Sequence, residues 1–154
     1  MKKYAKQFVV VLCVAAVLLA LSAVLRNAGG PGGLARTLKK DWGVDLPGGY
    51  VVEYRAATDD NLDEGGLRFH VLLYDDSALL EDALPWVSCA QPTGTAGSGA
   101  DAAKTILTAL GVPGGEWPDL ETAGMWYADD GAGAEVLLFH TQDDLRLYVL
   151  ESFS

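Results

Sequence analysis

The chain has 154 residues and a formal net charge of −10, with 11 Lys and Arg against 21 Asp and Glu. This length leaves room for one domain after a hydrophobic N-terminal segment. The charges are segregated, because residues 1–40 hold seven bases and no acid, whereas residues 41–154 hold four bases and all 21 acids. Phosphate binding needs clustered bases, so this distribution argues against nucleic acid as a partner of the acidic part.

An apolar segment without a charge covers residues 8–25, which read FVVVLCVAAVLLALSAVL. Its 18 residues are enough for a transmembrane helix, which needs about 17–25. Residues 1–7 carry three lysines, so we predict a cytoplasmic basic tail, a single-pass anchor in membrane lipid and an extracytoplasmic C-terminal domain. A cleavable signal peptide is the alternative, because Ala20-Leu21-Ser22 resembles a cleavage site, and the protein would then be secreted.

The two cysteines lie in different environments. Cys13 is in the apolar segment and Cys89 is in the domain, so the sequence does not predict a disulfide between them. We expect Cys89 to be a small buried apolar side chain, as unpaired cysteines usually are. An intermolecular disulfide is the alternative.

A glycine-rich flexible linker is predicted over residues 26–33, before the domain at 34–154. The domain opens with Leu34, Leu38 and Trp42 at i, i+4 and i+8, a spacing that predicts a helix with one apolar face. Two interpretations follow. The helix either packs on the domain's sheet or lies at the membrane surface with Trp42 at headgroup depth.

Alternating and apolar runs predict five strands, at residues 50–56, 67–74, 124–128, 134–141 and 145–153. The first two form an antiparallel pair, and the last two form a hairpin around residues 142–144. Further helices are predicted at 78–84, ended by Pro85, and at 102–111, capped by Asp101. This order predicts an α+β fold after the transmembrane helix: a small two-layer domain with about five antiparallel strands and two to three helices on one face.

Motifs for catalysis or metal binding are incomplete. Residues 59–63 match the start of a calcium loop, but the motif fails at Glu64 and His70, and Asp129-Asp130-Gly131 is typical of a turn. His70 and His140 are not in a zinc-ligand spacing, and the glycine-rich 94–99 segment lacks the lysine of a phosphate loop. We therefore predict no catalytic residue, no metal and no cofactor.

A recognition surface is the remaining candidate for function. Strand alternation places several polar side chains on solvated faces, and neighbouring strands would gather them as Arg55, Arg68, His70, Arg146 and Tyr148. Such a face would bind an anionic or peptide partner. The alternative is ordinary cross-strand charge pairing, for example between Glu53 and Arg68.

The anchor MKKYAKQFVVVLCVAAVLLAL and the segment DWGVDLPGGYVVEY (41–54) resemble those of many small membrane-anchored extracytoplasmic proteins of Gram-positive bacteria. The resemblance covers about a third of the chain and implies a location, not an activity. We therefore predict a non-catalytic binding or accessory module at the cell envelope, acting on an envelope protein. The alternatives are a metal- or thiol-dependent envelope hydrolase using Cys89, His70 or His140, and a toxin-immunity protein.

Overall fold

A computed structural model describes residues 31–58, 65–93 and 97–153 of the chain. The predicted tail (1–7) and membrane anchor (8–25) lie outside the described residues, as does the acidic loop at 59–64. No helix within the described ranges is long and apolar enough to cross a membrane.

Six antiparallel strands form one sheet in the order β1-β2-β6-β5-β4-β3. The strands are β1 (Tyr50–Ala57), β2 (Gly66–Tyr74), β3 (Val87–Ser88), β4 (Gly124–Asp129), β5 (Glu135–His140) and β6 (Arg146–Phe153). The predicted pairing of the first two strands and the predicted hairpin of the last two are both confirmed. The sixth strand, β3, has only two residues, and the sequence did not indicate it.

Helices pack on both faces of this sheet. They are α1 (Pro31–Trp42), α2 (Ala78–Glu81), α3 (Gly99–Ala109) and a 3-10 helix (Gly114–Glu116). One apolar cluster, with α3, contains Leu137 and Phe139, and the other, with α1 and α2, contains Val136 and Leu138. Alternate residues of a strand point to opposite faces, so β5 is buried on both sides. The domain is an α+β domain as predicted, but it has three layers and not two.

The first helix packs on the sheet. Leu38 of α1 is fully buried in the α1 cluster, and Leu34 and Trp42 pack against the same cluster. This arrangement agrees with the interpretation of α1 as a domain helix. The helix begins at Pro31, three residues before the predicted domain boundary, because proline is well suited to the first turn of a helix.

Two helix boundaries differ from the prediction. Helix α3 is capped by Ser98, whose Oγ accepts a hydrogen bond from the Asp101 backbone N–H at 3.2 Å, so Asp101 lies in the first turn and is not the cap. Helix α2 covers only four residues and ends well before Pro85. Gly111 follows α3 with φ +65°, a left-handed conformation that ends the helix as predicted.

Candidate functional site

The five residues of the predicted recognition surface lie on opposite faces of the sheet. Arg68 pairs with Glu151, which contacts α1, and the register places Arg55 beside His70 on that same face. Tyr148 belongs to the α3 cluster, and Arg146, two residues earlier in β6, faces the same way. The expected gathering on one face is therefore wrong. The cause is the register, which pairs even-numbered residues of β2 with odd-numbered residues of β6. Paired residues share a face of the sheet, so Arg68 and His70 face away from the even-numbered Arg146 and Tyr148.

Arg146 is held by an ion pair. Its Nε donates to Glu53 Oε2 at 2.6 Å and its Nη2 donates to Glu53 Oε1 at 3.1 Å, a two-pronged contact from β6 to β1. This hydrogen bonding lowers the pKa of the Glu53 carboxyl. The neighbouring Tyr148 is buried. Its burial and the charge of the nearby Asp144 carboxylate both raise the pKa of the Tyr148 hydroxyl, to about 12. Both side chains are thus engaged within the domain. Charge pairing between strands was the alternative prediction, but the partners differ from its example, because Glu53 pairs with Arg146 across β2 and Arg68 lies beside Glu151.

On the opposite face, four side chains form what we call the buried polar cluster: Trp42, Arg68, His70 and Glu151. Glu151 is fully buried and its Oε1 accepts the Trp42 indole N–H at 3.2 Å. The Arg68 Nη1 lies 4.0 Å from Glu151 Oε2, and the Arg68 guanidinium stacks over the Phe153 ring at 5.3 Å. The cluster fastens the end of α1 to β2 and β6.

The ionisable groups of this cluster are shifted by burial. Burial raises the pKa of the Glu151 carboxyl, against the smaller lowering effects of Trp42 and Arg68. Burial, with the charges of Arg55 and Arg68, lowers the pKa of His70 to about 4. His70 is therefore neutral at pH 7. These groups serve the packing of α1 and do not form an exposed cationic surface.

A cleft at the other end of the same face is the candidate functional site, which we call the His140 cleft. It has a volume of about 290 Å³ and is lined by Glu81, Trp86, Thr122, Gly124, His140 and Gln142. These residues come from α2, from the segments before β3 and β4, from β4, from the end of β5 and from the turn after it. Among these residues only His140 was a candidate from the sequence, as a zinc ligand or as a residue of a metal- or thiol-dependent hydrolase.

His140 is the polar residue buried at this site. Its exposed fraction is 4%, its Nδ1 lies 3.2 Å from the Arg146 carbonyl oxygen, and the Trp86 ring centroid is 5.7 Å from its own. Within the described part of the chain, His140 Nε2 is buried and has no hydrogen-bond partner. Buried polar atoms are seldom left unpaired, and such an atom in the wall of a cleft is a natural contact for a ligand.

Close packing shapes the cleft beside β4. A Cβ atom added to Gly124 would lie 2.9 Å from the Trp86 Cβ, which is closer than real carbon contacts. Glycine therefore lets Trp86 approach the strand. A glycine within a strand is a weak sequence signal that another part of the chain lies close to the strand backbone. Gly124 carries this signal in the sequence.

The chemistry proposed for a hydrolase has no support in the described geometry. Cys89 packs in the α3 cluster, whereas His70 and His140 lie on the α1 face, so neither imidazole can activate the thiol. Within residues 31–58, 65–93 and 97–153, no group of three or more His, Cys, Asp or Glu side chains could hold a metal ion. Asp130 behaves as a turn residue, because its Oδ1 accepts the backbone N–H groups of Ala132, Gly133 and Ala134.

The prediction that Cys89 is buried is confirmed. Its Sγ lies 3.0 Å from the Ala123 carbonyl oxygen, and burial raises the pKa of the thiol. Since the thiolate is the reactive form, we expect alkylation of Cys89 by iodoacetamide to be at least about tenfold slower in the native protein than in urea. Mass spectrometry of the peptide containing Cys89 measures this rate separately from that of Cys13. Equal rates in the two conditions would contradict the buried position.

In comparisons with known proteins, no family model, no curated protein and no solved structure matches this chain.

Proposed function

We propose that this protein is a non-catalytic binding module held at the outer face of a cell membrane by residues 8–25. The observation that carries the binding function is the His140 cleft, which combines an aromatic wall with a buried and unpartnered histidine nitrogen. Small-molecule sites commonly have this composition, with apolar walls and a few polar groups that orient the ligand. The partner is a component of the cell envelope, because a domain joined to the anchor by the short segment 26–30 stays near the membrane.

Binding is a better interpretation of the cleft than catalysis. A general base needs a partner that orients it and a second group that acts on the substrate. His140 has an orienting contact in the Arg146 carbonyl, but the cleft adds no nucleophile activated by the ring, because the Thr122 hydroxyl donates to Asp119 Oδ2 at 2.8 Å. The arrangement thus favours recognition.

The location is tested by the intact mass of the protein in two cell fractions. We expect the full-length mass in the membrane fraction, resistant to extraction at high pH, because an uncleaved apolar segment of 18 residues spans the bilayer core. Protease added to cells without a wall is expected to digest the C-terminal domain. A mass lacking roughly the first 22 residues, recovered from the medium, would contradict the anchor and indicate cleavage of a signal peptide.

A further inference from the structure

We propose that the His140 cleft binds a protonated primary amine on a flexible alkyl chain, as presented by a lysine side chain. This inference rests on the proposed binding function and names the class of its ligand. It depends on the hydrogen-bonding groups of the cleft. Some of them are already paired within the protein, and the others remain to contact a ligand.

The donors of the cleft are largely consumed by the protein itself. The Trp86 indole N–H donates to the Leu80 carbonyl oxygen at 2.8 Å, and the Thr122 hydroxyl donates to Asp119. The Arg146 carbonyl oxygen can only accept, so His140 Nδ1 carries the proton that makes their 3.2 Å contact. These three side chains therefore offer no donor to a ligand, and the exposed Gln142 amide is the side-chain donor that remains in the lining.

Acceptors remain in the same lining. In the tautomer that places the ring proton on Nδ1, the lone pair of the imidazole is on the buried and unpartnered Nε2. The Thr122 oxygen keeps its lone pairs, and Glu81 is exposed with no ion pair or hydrogen bond of its side chain within the described part of the chain. The Gln142 amide adds a carbonyl oxygen to these acceptors. An alkylammonium group has three donors and no acceptor, so it matches the acceptors of this lining.

Charge favours the same class of ligand. Glu81 is the only charged residue among the six that line the cleft. The face of the Trp86 ring attracts cations through its quadrupole. Beyond the cleft, residues 41–154 hold 21 acids against four bases, a field that draws cations to the domain and repels anions.

Fluorine NMR of the full chain in detergent micelles tests this proposal. The chain has four tryptophans, so labelling with fluorotryptophan gives four signals, assigned by Trp→Phe variants. The probe is Nα-acetyl-lysine-N-methylamide. We expect it to shift the Trp86 signal and leave those of Trp42 and Trp117 unchanged, with a Kd of about 1 mM, which is typical of a small ligand in an open cleft.

Matched probes and variants isolate the amine. The norleucine analogue has the same alkyl chain without the ammonium and is expected not to shift Trp86. Glu81→Gln removes the exposed charge and is expected to weaken lysine binding about tenfold without changing the unfolding midpoint. Glu116→Gln makes the same change of net charge in the 3-10 helix, outside the cleft, and is expected to leave the Kd unchanged. Ethanolamine, the amine of a lipid headgroup, is the probe for the other source of a ligand amine. If the lysine probe binds more tightly than ethanolamine, the ligand is a peptide side chain.

Two results would overturn the inference. If the norleucine analogue binds as well as the lysine probe, or if Glu81→Gln leaves the Kd unchanged, the cleft binds ligands but does not select amines. The proposed binding function would then stand without this ligand class. If neither these probes nor acetate and glucose shift the Trp86 signal, the cleft is not a binding site, and both proposals fail.

Discussion

Replacing Glu151 with alanine is expected to lower the free energy of unfolding at pH 7 by about 3 kcal/mol. The Glu151 side chain is fully buried between α1 and β6, where its Oε1 accepts the Trp42 N–H and its Oε2 lies 4.0 Å from the Arg68 guanidinium. Truncation leaves that N–H without an acceptor and leaves a cavity between α1 and β6. Urea unfolding followed by tryptophan fluorescence measures the loss.

Glu151→Gln is the matched control, and its effect depends on pH. Glutamine keeps an acceptor for Trp42 but carries no charge. Because the pKa of Glu151 is raised in the folded state, the native carboxyl contributes stability below its unfolded pKa of 4.5 and loses that contribution as pH rises through the folded pKa. We therefore expect the glutamine variant to gain stability relative to the native protein as the pH rises from 4 to 7.

The comparison of the two variants separates charge from hydrogen bonding. If Glu151→Ala and Glu151→Gln lower the free energy of unfolding equally at neutral pH, the charge of Glu151 stabilises the fold. Burial is then not the dominant influence on the Glu151 carboxyl. If neither destabilises, Trp42 and Arg68 find other partners and the buried polar cluster does not fasten α1.

The strands and their neighbours along the chain were predictable because their signals are local. Alternation and turn residues identified β1 with β2 and β5 with β6, and the structure agrees within one residue at most ends. The prediction of two layers was wrong, although the sequence contained a signal for a third. The run from Val136 to Phe139 is apolar without alternation, a pattern typical of a strand buried on both faces, and the structure shows it covered from both sides.

The candidate site could not be predicted, because it depends on register and on packing between distant segments. A shift between Val52 and Tyr54 in β1 reverses the facing of later residues, so Arg55 and Tyr54 do not continue the pattern begun at Tyr50. The His140 cleft joins residues more than fifty positions apart, none of which belongs to a motif. Among the buried polar atoms without a partner in the described residues, the Nε2 of His140 belongs to a residue that lines the cleft, and that property belongs to the folded domain.

Leu38→Ala is expected to destabilise the domain by about 3 kcal/mol, because it removes a fully buried side chain and leaves a cavity between α1 and the sheet. Leu79→Ala is the matched control. It makes the same change at a leucine that is 45% exposed on α2, where the expected loss is within about 0.5 kcal/mol. Urea unfolding of both variants measures the difference.

This comparison also decides between the two roles predicted for the first helix. A helix at the membrane surface would hold Leu38 in lipid, so its truncation would weaken binding to anionic vesicles and leave the unfolding free energy nearly unchanged. For a domain helix we expect the opposite. Leu38→Ala then lowers the free energy of unfolding, because the packing of Leu38 with β2 and β6 is lost, and vesicle binding changes little. Trp42 favours the second result, since its indole N–H points to Glu151 inside the domain and is not available to a lipid headgroup. Equal effects of Leu38→Ala and Leu79→Ala on unfolding would contradict the packing of α1 on the sheet.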